Sequence, residues 1–432
     1  MNYYSEYTYH PLPWIEKMPA HWKLVRGKNL YKKMQRPVQD QDEVVTCFRD
    51  GTVTLRKNRR TTGFTESLLE IGYQGIRKGD LVIHVMDAFA GSIGVSDSDG
   101  KGTPVYSVCQ AKGNSNNEYY ALLLREMART GFIQSLYRGI RERSSDFRFE
   151  VFASQFYPVP PREEQDQIVR FLDWKVSSIN KLISVRKRQI DEFEELKRSK
   201  IGHLVMGQSK DIPQRCTSIS WMKTIPVHWE EKTLIQFADE QQIKNTGMVE
   251  NNLLSLSYGK IVSKDINTMD GLLPASFEGY QIVQNGNIVL RLTDLQNDHK
   301  SLRTGLATQT GIITSAYTCL KVREGMLPEY LQLQLHVADL CKVFYGIGGG
   351  VRQSIGFKDI RGLLIAIPTV EEQHHILELV HGVEEPINNA IRKNKDIIVS
   401  LEELKKRLIS DIVTGKKDVR DIKIPDCESM DE

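Results

Sequence analysis

From Glu163 the chain reads "EEQDQIV", and from Glu371 it reads "EEQHHIL"; at an offset of 208 residues the two stretches match without a gap for more than forty residues. Glu163, Glu164, Gln165, Ile168, Ile179, Asn180, Lys187, Ile190, Glu194, Glu195, Leu196, Lys197, Ile201, Val205 and Gly207 each meet an identical residue. Upstream, "GYQGIRKGDLVIHVMD" (72–87) aligns with "GYQIVQNGNIVLRLTD" (279–294), and "MPAHW" (18–22) with "IPVHW" (225–229), both at an offset of 207. Repeats of about 20–50 residues build solenoids; a period this long means duplication of a whole domain. The 432 residues suffice for two or three domains at about 100–200 residues each. The helical C-terminal part of each half is closely kept, and the part before it has diverged.

Within one half, "GDLVIHV" and "GNIVLRL" read as buried strands opened by a turn glycine, and "DGTVTLRKN" as a hairpin arm after an Asp-Gly turn. Apolar residues at three- and four-residue spacings make "NEYYALLLREMARTGFIQSLY" and "PEYLQLQLHVADLCKVFY" amphipathic helices. A strand then ends at Pro160/Pro161 and at Pro368, because proline cannot continue a ladder. The repeated helix follows, with apolar positions Ile179, Leu182, Ile183, Ile190, Phe193, Leu196, Ile201, Leu204 and Val205, and in the second copy Ile387, Ile391, Ile398, Leu401, Leu404, Leu408 and Ile412. Pro386 suits a first helical turn, so a short helix over "EEQ" is expected before a separate long one. A helix of roughly 30 residues spans about 45 Å. The simplest burial of its apolar stripe is against the other copy, as an antiparallel coiled coil; packing on its own half is the alternative. Gly207 and Gly415 supply helix stops, and the charged run after Gly415 reads as a tail.

Several function classes are excluded by what the sequence lacks. No run approaches the roughly 18–20 apolar residues of a membrane span, and the N-terminus has no signal-peptide pattern, so a cytoplasmic protein without membrane association is expected. The six cysteines form no CxxC and have no histidine at ligand spacing, which argues against a disulfide framework or a zinc site. No P-loop, G-x-S-x-G elbow, H-E-x-x-H or dinucleotide fingerprint occurs. "DSDG" (97–100) reads as a polar turn rather than a calcium loop, and "GIGGG" (346–350) follows a helix rather than a strand. No catalytic or metal-binding residues are therefore assigned.

Positive charge is concentrated in the divergent parts. "RDGTVTLRKNRR" (49–60) sets Arg49, Arg56, Lys57, Arg59 and Arg60 against Asp50 alone, in a hairpin context that would project them into solvent. "RGIRERSSDFR" (138–148) adds Arg138, Arg141, Arg143 and Arg148. The second half is sparser, with Lys260, Lys264, Arg291, Lys300, Arg303, Arg352 and Gln353. Guanidinium forks match phosphates and guanine edges, and glutamine can read adenine, so these are candidate DNA contacts; each could equally be a solvated loop charge. A net charge of +3 does not by itself mark a nucleic-acid binder.

Three features in duplicated order resemble the specificity subunits of type I restriction-modification systems: "P-x-x-W" at Pro19 and Pro226, "P-x-x-E-E-Q" from Pro160 and Pro368, and paired helix ends running Leu196 to Gly207 and Leu404 to Gly415. The resemblance covers essentially the whole chain. It implies an α+β architecture of two pseudo-twofold-related mixed α/β target-recognition domains separated by two long antiparallel coiled-coil helices. The expected segments are 1–161 and 209–368 for the recognition domains, 162–208 and 369–416 for the spacer helices, and 417–432 for the tail. Ile179, Ile190, Phe193, Leu196, Ile387, Ile398, Leu401, Leu404 and Leu408 would form the coiled-coil seam. The family further implies that each domain reads one half of a split double-stranded DNA target. It also implies recruitment of two modification methyltransferase subunits and of restriction/translocase subunits. S-adenosylmethionine, ATP and magnesium would belong to those partners, with no cofactor bound by this chain. Two other readings stay open on the residues: a coiled-coil protein scaffold without DNA readout, and a nuclease or methyltransferase in its own right.

Overall fold

The computed structural model describes residues 2–59, 70–136, 146–209, 211–266, 276–295, 302–347 and 354–425. It divides into two units, one formed by 1–186 with 395–432 and the other by 187–394.

In the first unit the glycine-opened run becomes strand Leu81–His84, whose alternate residues have no solvent-facing side and are buried on both faces. It is an inner strand of a four-stranded antiparallel sheet ordered Tyr31–Met34, Tyr106–Ala111, Leu81–His84, Ile93–Val95. Helix Asn117–Arg129 packs its buried Tyr120, Leu123, Leu124 and Met127 into the core that includes this sheet's Tyr31, Leu81, Ile83 and Ile93. Asn116 caps that helix, its side chain accepting from the N–H groups of Glu118 and Tyr119. The second unit repeats the order: sheet Ala238–Gln241, Thr318–Val322, Ile288–Leu290, Thr304–Leu306, with helix Pro328–Leu340 started by proline. Both amphipathic runs break where expected helix gives way to a left-handed residue, at Gly131 and at Lys342.

Two 44-residue helices carry the repeated sentence, Arg162–Val205 and Val370–Val413. The expected break at Pro386 does not occur, and the second helix runs through it. Proline removes one N–H and presses its ring on the carbonyl four residues back. Here the buried Val380, Ile387 and Ile391 hold the helix on both sides of Pro386.

The duplicated motifs explain how each unit is closed. In the first, the buried Glu164 carboxylate accepts from Tyr4 Oη at 2.6 Å and Trp22 Nε1 at 3.0 Å, and lies 2.7 Å from His21 Nε2. Gln165 donates to the Pro160 carbonyl and accepts from the Asn116 N–H, tying the long helix to the cap of the domain helix. Tyr119 donates to the Val413 carbonyl at 3.2 Å. Gly415, at φ +74°, sits so close to Pro19 and Trp22 that a Cβ there would lie within 2.4 Å of the proline ring.

The second unit has the same set: Trp229 and His228 on Glu372, Gln373 between Pro368 and Leu327, Tyr330 on the Val205 carbonyl, and Gly207 under Pro226 and Trp229. It differs at the carboxylate, where among the described residues no counterpart of the Tyr4 hydroxyl reaches Glu372, and at the helix start. Thr369 and Glu372 form a capping box, each accepting from the other's N–H. Pro161, at the equivalent place, has neither the hydroxyl nor the N–H for this.

The segment expected to be a charged tail is part of the first unit as far as it is described. Val419 is fully buried, Ile422 and Ile424 pack beside it, and Asp418 bridges to Asn2. Three apolar residues spaced among charges were enough to dock it, although its composition reads as solvent-facing.

Candidate nucleic-acid interface

The Asp-Gly turn forms as expected. Strands Val45–Cys47 and Val53–Leu55 pair antiparallel, and Gly51 turns the chain at φ +88° with the Arg125 guanidinium packed against it. A short 3₁₀ turn, Arg56–Asn58, follows the second strand, so Arg56, Lys57 and Arg59 lie beyond the hairpin arm rather than at its tip.

The cations of this hairpin are not opposed by Asp50 alone. Lys57 pairs with Glu43 at 2.5 Å, Arg59 with Asp50 at 2.7 Å, and Arg49 with Asp87 at 3.0 Å. Arg59 also covers the Phe48 ring at 4.6 Å. Burial pushes the Asp50 carboxyl up, but the Thr52 N–H and the Arg59 fork outweigh it and hold the group below its ordinary value. Burial lowers the Arg125 guanidinium, offset in part by the charge of Asp50. Exposed pairs of this kind contribute about 0–1 kcal/mol, so exchanging a carboxylate for a phosphate costs little.

In the second unit the corresponding hairpin is Leu254–Ser257 with Lys260–Ser263, and Lys260 is exposed on it. Arg291 is half-buried just beyond strand Ile288–Leu290. Arg303 is not a DNA contact. Its side chain is fully buried, and its guanidinium donates to the carbonyls of Arg291, Thr293 and Asp294 and to Tyr345 Oη. A buried cation must be compensated by acceptors, and this carbonyl cage supplies them. Arg60, Arg138, Arg141, Arg143, Lys300, Arg352 and Gln353 lie outside the described residues. Arg148 pairs with Asp146.

Within the first unit Ile179 and Leu408 are buried, and Ile398 and Leu401 pack against the same core. Lys405 Nζ donates to Asn180 Oδ1 at 3.1 Å there. In the second unit Ile387 is buried, Ile190 and Phe193 are half-buried, and Lys197 Nζ donates to Asn388 Oδ1, also at 3.1 Å. Leu196 and Leu404 were expected in the seam but are 43% and 51% exposed. Each precedes the lysine of its Lys–Asn pair, and one residue is about 100° of helix, enough to turn a side chain away from the buried face.

Sequence reading missed Arg125, hidden in a helix pattern, and the Tyr258-Gly259 turn of the second hairpin, whose signal was a glycine between two β-rich runs. Among the described residues no group of three or more His, Cys, Asp or Glu side chains could hold a metal ion, and no helix is long and apolar enough to cross a membrane.

No family model matches the chain. In fold it is similar to a chain from a structure concerned with complex assembly and conformational transition of the type I R-M system. That match has 14% sequence identity and a TM-score of 0.64, over 93% of this chain and 99% of the other. It is also similar to the HsdS subunit from Thermoanaerobacter tengcongensis, at 14% identity and a TM-score of 0.48 over 93% of this chain and 98% of that one. A third is the type I restriction-modification system S subunit from M. genitalium, at 11% identity and a TM-score of 0.35 over 93% and 97%. The mixed α/β fold with its long helices is thus one found in a type I restriction-modification system. The resemblance carried by the repeated motifs points to the same system.

Proposed function

We propose that this chain is the DNA-reading specificity subunit of a type I restriction-modification complex, acting in the cytoplasm. Each unit reads one half of a split double-stranded target. The observation that carries this reading is a contrast: the two units close with the same Trp–Glu, Gln–carbonyl, Tyr–carbonyl and Gly–Pro contacts, whereas the hairpins they carry differ in length, charge and aromatic content. A constant frame with a variable reading element is what two different half-sites require.

The reciprocal pairs, Lys197 on Asn388 and Lys405 on Asn180, support an antiparallel coiled-coil pairing of the two long helices about a pseudo-twofold. Such a spacer would fix the gap between half-sites. On this reading the chain itself is non-catalytic. Two methyltransferase subunits would supply S-adenosylmethionine chemistry, with the target adenine flipped out of the stack, and restriction/translocase subunits would use ATP and magnesium. Arg49, Arg56, Lys57 and Arg59 would contact the first half-site, and Lys260 and Arg291 the second.

The test is methylome sequencing of cells co-expressing the chain with its partner methyltransferase. A split motif with adenine methylation on opposite strands is expected, and Lys57→Ala with Arg59→Ala should relax its first half only. A stable, active complex that leaves no split motif would move the reading to a protein scaffold, whose contacts should also lack the steep salt dependence of phosphate binding.

A further inference from the structure

The second hairpin turns on two residues. Ser257 and Lys260 are the last paired positions, so Tyr258 and Gly259 form the whole loop, and both have positive φ, +47° and +77°. Positive φ at both central residues is the signature of the type I′ turn, which favours Asn-Gly because asparagine and glycine tolerate the left-handed region. A tyrosine there is strained by its Cβ, and folding offers no return for that strain. The Tyr258 side chain is 89% exposed, more than any other described large apolar side chain, and among the described residues it forms no hydrogen bond, ring contact or ion pair.

The turn itself is held firmly. Leu254 and Leu256 are buried on the strand before it, Lys264 N–H donates to the Leu253 carbonyl, and a Cβ on Gly259 would press on Leu302. Lys260 is exposed on the strand leaving the turn, and Lys264 is exposed just beyond it. In the first unit the aromatic residue of the corresponding turn, Phe48, is covered by Arg59. Among the described residues no cation covers Tyr258 in this way.

We propose that Tyr258 is a specificity-determining residue that contacts the bases of the half-site read by the second unit, with Lys260 on the adjacent phosphate. This rests on the DNA-reading role proposed above. A strained residue kept at a rigid, exposed tip marks a functional position more often than a structural one. In a duplex groove an aromatic ring offers apolar contact to thymine methyl groups at the base edges.

Tyr258→Asn is the informative variant, because asparagine suits the turn and removes the ring. Full-length chain in complex with its methyltransferase would be titrated against duplexes carrying the split target. Affinity is expected to fall on the order of tenfold, base preference to relax in the second half only, and the melting temperature to hold or rise. Tyr258→Phe should stay near wild-type affinity, and a Phe variant as weak as the Asn variant would overturn the ring contact. Wild-type affinity and motif in Tyr258→Asn would overturn the inference while leaving the DNA-reading role standing. Loss of the methyltransferase complex instead of DNA affinity would overturn it as well. A wild-type complex that binds no split duplex would overturn both.

Discussion

The two EEQ carboxylates allow one substitution to be made twice in one molecule. Glu164 has a side chain only 3% exposed, and its removal leaves the buried Tyr4 hydroxyl and Trp22 indole N–H without acceptors. An orphaned buried donor costs about 1–3 kcal/mol, and the lost contact with the partly exposed His21 adds about 1. With two such donors, Glu164→Ala should therefore destabilise the first unit by about 3–7 kcal/mol. Glu372 is 32% exposed, its Trp229 bond is long at 3.4 Å, and its partner His228 is half exposed. Losing its capping box and these weaker contacts should cost the second unit about 1–2 kcal/mol. A single unfolding free energy is poorly defined for two units, so native-state hydrogen exchange, followed separately on Tyr119–Leu124 and on Tyr330–Leu335, is the appropriate assay. Equal losses in the two variants, or the larger loss in Glu372→Ala, would refute the argument that burial of the carboxylate sets its weight.

Arg303→Ala should lower the stability of the second unit by about 3 kcal/mol, since three carbonyls lose their donor; a variant with normal stability but weakened DNA binding would restore Arg303 as a contact. Gly207→Ala and Gly415→Ala each force a Cβ into the left-handed region against proline and tryptophan, with an expected cost of about 1–3 kcal/mol to the second and the first unit respectively. Local exchange rates would check it. Burial, reinforced by the charge of Lys197, lowers His336 to about 4, so the folded state disfavours its protonation. Stability from this group is present above about pH 6.5 and falls as pH drops toward 4, by at most about 3 kcal/mol; His336→Gln should flatten that part of a urea-midpoint-against-pH curve.

What the sequence made legible was periodic or local. The strands at Leu81–His84 and Ile288–Leu290, the Asp-Gly hairpin and the glycine helix stops all follow from patterns a few residues long. The helix runs through Pro386 because of burial to either side, at Val380, Ile387 and Ile391, which no local signal reveals. Arg303 looked like every other basic residue, and only its carbonyl cage distinguishes it. Composition likewise concealed the docked run after Gly415. Tyr258 announced nothing by type; its backbone angle does.

The first unit is finished by Leu408, Ile412, Val413 and Val419, which lie more than two hundred residues downstream of its own helix start. During synthesis, at about 5–20 residues per second, the surface around Tyr119, Trp22 and Ile168 waits on the order of ten to fifty seconds for its cover. All residues of the second unit, 187–394, emerge meanwhile. The nascent chain thus completes its later-made half first, and its earlier-made half is the one exposed to chaperones, proteases and premature termination.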